Sequence, residues 1–400
     1  MKGNAIVGQS GGPTAVINAS LAGVVRGCRA DPRIGRVFGM RFGIEGFMED
    51  LLVDLGALGG EALDLLARTP SSALGSCRHK LAEADFPRIL EALKRHDIRY
   101  FFLIGGNDTM DTIHRVEAWS RAHGWELRGI GVPKTVDNDL FGTDHTPGYP
   151  SAARYVALSV RQAGRLAKDM RRVDSFVVHQ TVGRDSGWLA AASALARSRP
   201  GEAPHLIYLP ERPITREALL SEVRACISQW GWCSIVCGEG LLWEDGSPVS
   251  ATSSRDRFSN VEFGAMGGGS AALAIHGLLR EATGLRGEFQ VTESLPMCAD
   301  DRVSGLDLEE AMACGLRAAE LALGGASGLM VTIQREAGPA YRASYGTAPL
   351  SEVAVRAKPM PEAFLAPGRP DVSPAFLDYL RPLVGDLPQY FDIESLASKG

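Results

Sequence analysis

Lysine is scarce in this 400-residue chain. Only seven occur: Lys2, Lys80, Lys94, Lys134, Lys168, Lys358 and Lys399. Arginine therefore carries most of the positive charge, and a lysine inside a motif stands out. The formal net charge of −5 gives no general attraction to nucleic acid or anionic membranes, so any basic site must be local. No apolar run approaches the roughly 18 residues of a membrane span. The apolar stretch in "MKGNAIVGQSGG" is too short for a signal peptide. No CxxC pair is present. The seven cysteines (Cys28, Cys77, Cys226, Cys233, Cys237, Cys298 and Cys314) are odd in number and scattered. Cys233 and Cys237 lie four apart, but "WCSIVCGEG" reads as a strand rather than a metal knuckle. These absences point to a reduced, cytoplasmic enzyme with buried thiols and with neither nucleic-acid nor membrane partners. Short-period repeats and low-complexity segments are also missing.

What is present is ordinary globular material, 45% hydrophobic and 22% charged, with length for two or three domains. "NAIVG" reads as a short buried strand, and "GQSGGPTAVINASLAGVVRGC" turns from it into a helix with Ala19, Gly23 and Gly27 at helical spacing. "RVFGMRFGIEGFM" reads as a strand and a glycine-broken loop. "PRILEALKRHDI" is an amphipathic helix, "RYFFLIGG" a strand, "NDTMDTIHRVEAWSRAHG" a helix and "LRGIGVPKTV" a strand. The alternation restarts near residue 148. "SAARYVALSVRQAGRLAKDM", "DSGWLAAASALARS" and "REALLSEVRACISQW" are helical; "SFVVHQTVGR", "PHLIYLP" and "CSIVCGEG" are strands.

This pattern predicts an α/β protein of two doubly wound, Rossmann-like α/β/α domains with the active site in the cleft between them. Residues 1–147 with about 297–357 form the first domain. Residues 148–296 form the second. Residues 358–400 are a tail packed across the body, and "GPAYRASYGTAPLSEVA" holds late strands.

Three loops fall where strands end. "GQSGGPTAVIN" (8–18) is a glycine-rich turn whose backbone N–H groups can bind an anion, helped by the helix behind it; it is equally compatible with a plain tight turn. "PKTVDNDL" (133–140) brackets Asn138 with Asp137 and Asp139 and places Lys134 upstream. Phosphoryl transfer needs a base, a metal ligand and positive charge, and this stretch offers all three. The plain alternative is an Asx-rich loop capping a helix. "TVGRDSGW" and "GEG" put Arg184 and Glu239 at further strand ends. No dinucleotide fingerprint follows the first strand, which argues against a dehydrogenase.

"GGPTAVIN", "LGSCR", "GGNDT", "PKTVDND", "GRDSGW" and "GEG" occur in the order and spacing of the phosphofructokinase family, and the resemblance runs from residue 3 to about 330. It is closest in character to the branch that uses inorganic diphosphate. The resemblance implies Asp137 as the base, supported by Asp139, with Thr135 and Lys134 beside the transferring phosphoryl group. Gly11, Gly12, Arg78, Gly106, Asp108 and Thr109 would hold the donor. Gly183, Arg184 and Glu239 would line the acceptor pocket. ATP-using relatives carry glycine where Asp108 stands, and an aspartate there crowds and repels a nucleotide's inner phosphate. Asp108 and Lys134 together favour diphosphate with Mg²⁺. Asn107 stands at the usual metal-binding aspartate, leaving Asn107, Asp108 and the diphosphate itself to hold the ion. The resemblance also implies a homodimer or homotetramer.

The sequence departs from the family at the clamp for the 6-phosphate of fructose 6-phosphate. Ser175 stands where an arginine is usual, nine residues before Arg184. Counting back from "LDLEEAMACG" puts Pro296 and Met297 at the family's Q–R pair. A third basic position falls near Glu288, with Arg286 close by, and Arg171, Arg172 and Arg302 are the other arginines available to rebuild the clamp. Charge-assisted contacts are worth roughly 1.5–3 kcal/mol each, so losing two weakens binding ~100-fold or more. The expected activity is therefore Mg²⁺-dependent transfer from diphosphate to a sugar or polyol other than standard fructose 6-phosphate. The alternatives are an ordinary diphosphate–fructose-6-phosphate phosphotransferase with a rebuilt clamp, and a catalytically silent member acting as partner or sensor.

Overall fold

A computed structural model of the chain describes residues 1–250, 269–391 and 393. The chain opens with β1 (Gly3–Gln9), α1 (Ile17–Arg29), β2 (Ile34–Met40), α2 (Gly43–Met48) and β3 (Leu52–Asp54). It continues with α3 (Gly60–Arg68), α4 (Asp85–Arg95), β4 (Ile98–Gly105), α5 (Asn107–Ala122) and β5 (Arg128–Pro133). A second run holds α6 (Tyr149–Met170), β6 (Phe176–Thr181), α7 (Trp188–Ala192), β7 (Leu206–Tyr208), α8 (Arg216–Trp230), β8 (Cys233–Gly238), α9 (Ala271–Thr283) and β9 (Gly287–Val291). The chain then returns through α10 (Gly305–Leu323), β10 (Leu329–Arg335), β11 (Ala343–Pro349) and α11 (Leu350–Val353) to α12 (Pro374–Val384).

Two sheets result. One has the order β11-β10-β5-β4-β1-β2-β3, parallel from β10 to β2 and antiparallel at both edges. The other is parallel throughout, in the order β7-β8-β6-β9. The unbroken apolar run of β4 explains the first. Tyr100, Phe102 and Ile104 point into a core shared with α1 and α10, while Phe101 and Leu103 point into one shared with α4 and α5. β6 divides likewise, Val177 facing α6 and α7 and Val178 facing α8 and α9. Both units are thus covered by helices on both faces. β10 and β11 lie in the first sheet although they follow the second in sequence.

Gly23 belongs to a close helix crossing: a Cβ there would sit 2.3 Å from the Met312 carbonyl oxygen on α10. The loop expected after β2 is instead the short helix α2. Its glycines serve close packing rather than a break, since a Cβ at Gly46 would lie 1.7 Å from the Arg41 carbonyl oxygen. In the tail, Phe376, Leu380, Leu383 and Val384 of α12 are buried with Trp188. Residues 394–400 lie outside the described residues. No described helix is long and apolar enough to cross a membrane. All seven cysteines are free, with Cys233 and Cys237 buried in β8.

Candidate active site

The carboxyl ends of β1, β4 and β5 face those of β6 and β8 across a cleft of about 1690 Å³, counted with the part open to solvent. Of the residues expected from the resemblance to act on the phosphoryl group, donor, metal or acceptor, all line this cleft except Ser175.

The floor is the loop after β5. Lys134 is buried, and its Nζ donates to the Gly12 carbonyl oxygen at 2.6 Å. Burial pushes its pKa down to about 8, with Asp137 and Asp139 pulling the other way. Gly11 makes room for it, with φ +76° and a Cβ position 3.3 Å from Nζ. The Asp137 N–H donates to Thr135 Oγ1 at 3.1 Å, and Ser186 Oγ donates to the Asp137 carbonyl oxygen at 2.9 Å. Burial, then the neighbouring Asp139, push the Asp137 carboxyl up to about 7. Burial also raises Asp139, opposed by a backbone hydrogen bond and by Lys358. The two acids do not cap a helix. The next helix, α6, begins at Tyr149, and its leading N–H groups are taken by Asp307: Gly148 N at 2.9 Å and Ser151 N at 3.0 Å.

On the donor wall, the expected help from the N-terminus of α1 is missing, because that helix starts only at Ile17 and its first residues are buried. Ser10 N donates to the Ile104 carbonyl and Gly11 N to the Cys77 carbonyl. Among the described residues of this turn that line the cleft, Gly12 is the one whose N–H has no backbone acceptor. The helix end that does face the cleft is α5, entered through Gly106, with the exposed Asp108 in its first turn. Thr109 packs beneath Gly105, where a Cβ would lie 2.1 Å from Oγ1. Asn107 Nδ2 donates to the Val353 and Arg356 carbonyls, both at 2.9 Å, which fixes its amide and leaves Oδ1 on the other side. Arg78 lines the same wall, exposed to the cleft.

On the facing wall, Glu239 Oε1 accepts from Gly183 N at 3.1 Å and Arg184 N at 3.0 Å. This holds a turn with φ +143° at Gly183 and +48° at Arg184. Burial raises the Glu239 carboxyl, opposed by those two N–H groups. Glu239 thus has a structural duty besides any contact with an acceptor. Met297 lies in a 3-10 turn (Leu295–Met297), and its Sδ is 3.6 Å from where a Cβ of Gly12 would be, so it reaches across to the donor wall.

Ser175 is not brought here. It precedes β6 while Arg184 follows it, so the strand separates them by its length. Its N–H donates to the Arg286 carbonyl at 2.8 Å. None of Arg171, Arg172, Arg286 and Arg302 lines the cleft. Arg286 reaches Asp174 at 3.4 Å, and Arg302 bonds Ser159 and Gln162 on α6. Sequence reasoning missed several participants. His79 and Lys80 line the donor wall directly after Arg78, and Glu293 and Ser294 line the facing one. Lys358 and Tyr379 grip the floor loop from behind. The rarity of lysine was the available signal for Lys80 and Lys358.

The phosphofructokinase family profile matches residues 4–286, more than half of the chain. The chain belongs to the phosphofructokinase family. This phosphofructokinase-family chain is 38% identical over 388 residues to a protein from Halomonas elongata named pyrophosphate–fructose 6-phosphate 1-phosphotransferase, covering 95% of this chain and 91% of that one. It is 34% identical over 347 residues to a protein from Alkalicoccus urumqiensis named sulfofructose kinase, covering 87% of each. A crystal structure of pyrophosphate-dependent phosphofructokinase from Marinobacter aquaeolei matches with a TM-score of 0.87 and 37% identity, covering 98% of this chain and 94% of that one. Within the family, its likeness is to the diphosphate-dependent branch.

Proposed function

We propose that the protein transfers a phosphoryl group from inorganic diphosphate to a hydroxyl of a sugar or polyol acceptor. The observation that carries this is the cleft floor, where the buried Lys134 and the Asp137–Asp139 pair face Asp108 on one wall and Arg184 on the other. The names of the similar proteins support the donor. Asp137 takes the proton of the acceptor hydroxyl as its oxygen attacks phosphorus, and the bond to the leaving orthophosphate breaks. Lys134, Arg78 and the Gly12 N–H hold the donor, and Arg184 answers the charge of the transferring group from the opposite wall. Asp108 and Asn107 fit a hard cation, one offering a carboxylate and the other a fixed amide oxygen at the same helix end. They would hold Mg²⁺, which neutralises diphosphate charge when bound. By family resemblance we expect a homodimer or homotetramer.

For the acceptor, we infer a far end that is not held as the usual phosphate dianion. The reading rests on Ser175 and Pro296–Met297 standing at positions where the resemblance expects basic residues, and none of Arg171, Arg172, Arg286 and Arg302 lines the cleft. The family includes an enzyme named for sulfofructose, so a different far end has precedent among similar chains. The second reading, fructose 6-phosphate itself, is favoured by the names of the relatives that are 37–38% identical. Steady-state kinetics with diphosphate and a panel of acceptors separates the two. We expect an acceptor lacking the terminal phosphate to exceed fructose 6-phosphate in kcat/KM. Efficient use of fructose 6-phosphate, with KM near or below about 1 mM, would establish the second reading.

A further inference from the structure

Lys358 lies beyond the span matched by the family profile and does not line the cleft, yet it reaches the catalytic loop from behind. Ala357 pairs with Leu140 in an antiparallel bridge, and Lys358 N donates to the Asp139 carbonyl oxygen at 2.7 Å. Its Nζ donates to the Asp144 carbonyl at 2.7 Å, the Thr143 carbonyl at 3.3 Å and Asn138 Oδ1 at 3.2 Å. It also stands 4.9 Å from the centre of the Trp188 ring. Burial pushes the Lys358 pKa down to about 7, with Asp144 and Asp139 pulling the other way, and three oxygen acceptors with an aromatic face are what hold the ammonium form there. Tyr379 of α12 completes the grip: Asn138 Nδ2 donates to its hydroxyl at 3.1 Å, and that hydroxyl donates to the Asp144 carbonyl at 3.0 Å.

Asn138 has φ +56° and no solvent exposure, and it sits between the two acids. Whatever fixes Asn138 therefore fixes the directions in which Asp137 and Asp139 project. Asp139 faces Asp137, Lys134 and Arg184 on the cleft side and Lys358 behind. Two carboxylates on one buried turn disfavour each other's ionisation. A cation placed behind the turn offsets this without occupying the cleft.

We propose that Lys358 is a positioning residue for phosphoryl transfer, locking the Asp137–Asn138–Asp139 turn and keeping Asp139 ionised beside the base. The proposal rests on the reading of that turn as the proton-accepting site. Lys358→Met removes the charge and all three donated bonds, whereas Tyr379→Phe removes only neutral ones. We expect Lys358→Met to lower kcat about 10- to 100-fold without a comparable rise in KM for diphosphate. The acid limb of its pH–rate profile, which requires Asp137 and Asp139 both ionised, should move to higher pH, because removing the cation behind the turn makes the second proton of the pair harder to lose. Tyr379→Phe should lose about threefold with the acid limb unmoved. An unchanged kcat and acid limb in Lys358→Met overturns the proposal, as does an equal limb shift in Tyr379→Phe. Should Lys358→Met fail to fold, Lys358→Arg serves: it should keep the wild-type limb, and a shifted limb overturns the role of charge. If the wild-type protein transfers nothing from any donor, the functional reading falls, and ¹³C NMR of the aspartate carboxyls then decides the proposal. A raised Asp139 pKa in Lys358→Met supports it, and an unchanged one refutes it.

Discussion

The Nζ of Lys134 is bonded to the carbonyl oxygen of Gly12 at 2.6 Å, tying the loop after β5 to the loop after β1. A lysine held this way is a fixed, compact charge at the cleft floor. Lys134→Met should therefore reduce kcat/KM for diphosphate by about 100-fold or more, the loss of a charge-assisted contact and of positioning together. Lys134→Arg should not rescue it, because a planar guanidinium does not reproduce the compact ammonium that donates to Gly12. Initial-rate kinetics at fixed acceptor concentration checks both.

Asp108 stands exposed in the first turn of α5, and by family resemblance a nucleotide's inner phosphate would approach there in ATP-using relatives. Asp108→Gly is expected to narrow the preference for diphosphate over ATP by at least about tenfold, or about 1.4 kcal/mol. Measured kcat/KM for the two donors gives the ratio.

Asp137→Asn should cut kcat by about 10²- to 10⁴-fold, as the loss of a general base does. The same change should stabilise the fold at pH 8. The folded carboxyl titrates near about 7, above its ordinary 3.8, so the folded state binds more protons between those values. Stability from this group is thus lost as pH rises from about 4 towards 7. A higher melting temperature for the variant at pH 8, with the gap closing at pH 4, is the expected result in calorimetry.

Activity should respond to pH in the opposite sense on the acid side. The base must be deprotonated, so kcat/KM rises through about 7 as Asp137 ionises. It falls again as Lys134 loses its charge near about 8. A bell with those two limbs is expected, and Lys134→Met should remove the alkaline one.

Glu239→Ala leaves the Gly183 and Arg184 N–H groups without an acceptor, at a cost of about 1–3 kcal/mol. The left-handed turn they form presents Arg184 to the cleft. KM for the acceptor should rise while KM for diphosphate stays near its wild-type value.

The floor and both walls were legible because this chemistry sits on short βα loops, where glycines and acids interrupt apolar strands. "GGNDT" and "PKTVDND" carry their meaning locally. Ser175 and Arg184 are nine residues apart with β6 between them, so within one chain the count sets them at opposite ends of that strand. The helix-capping alternative for Asp137 and Asp139 is removed only by Asp307, whose bonds to Gly148 and Ser151 join segments more than 150 residues apart. Tyr379 was invisible for the same reason, and the rarity of lysine marked Lys358 without saying what it touches. Their grip on Asn138 is a tertiary contact that no local pattern encodes. The help expected from the helix behind "GQSGG" is missing for a geometric reason, since α1 begins only at Ile17.

The central claim is that diphosphate is the phosphoryl donor. ³¹P NMR of the purified protein with Mg²⁺, a panel of sugar and polyol acceptors, and either diphosphate or ATP tests it most directly. We expect the diphosphate signal to give way to orthophosphate and a sugar phosphate ester, with ATP left intact. Ester formation from ATP alone, or from neither donor, would contradict the account.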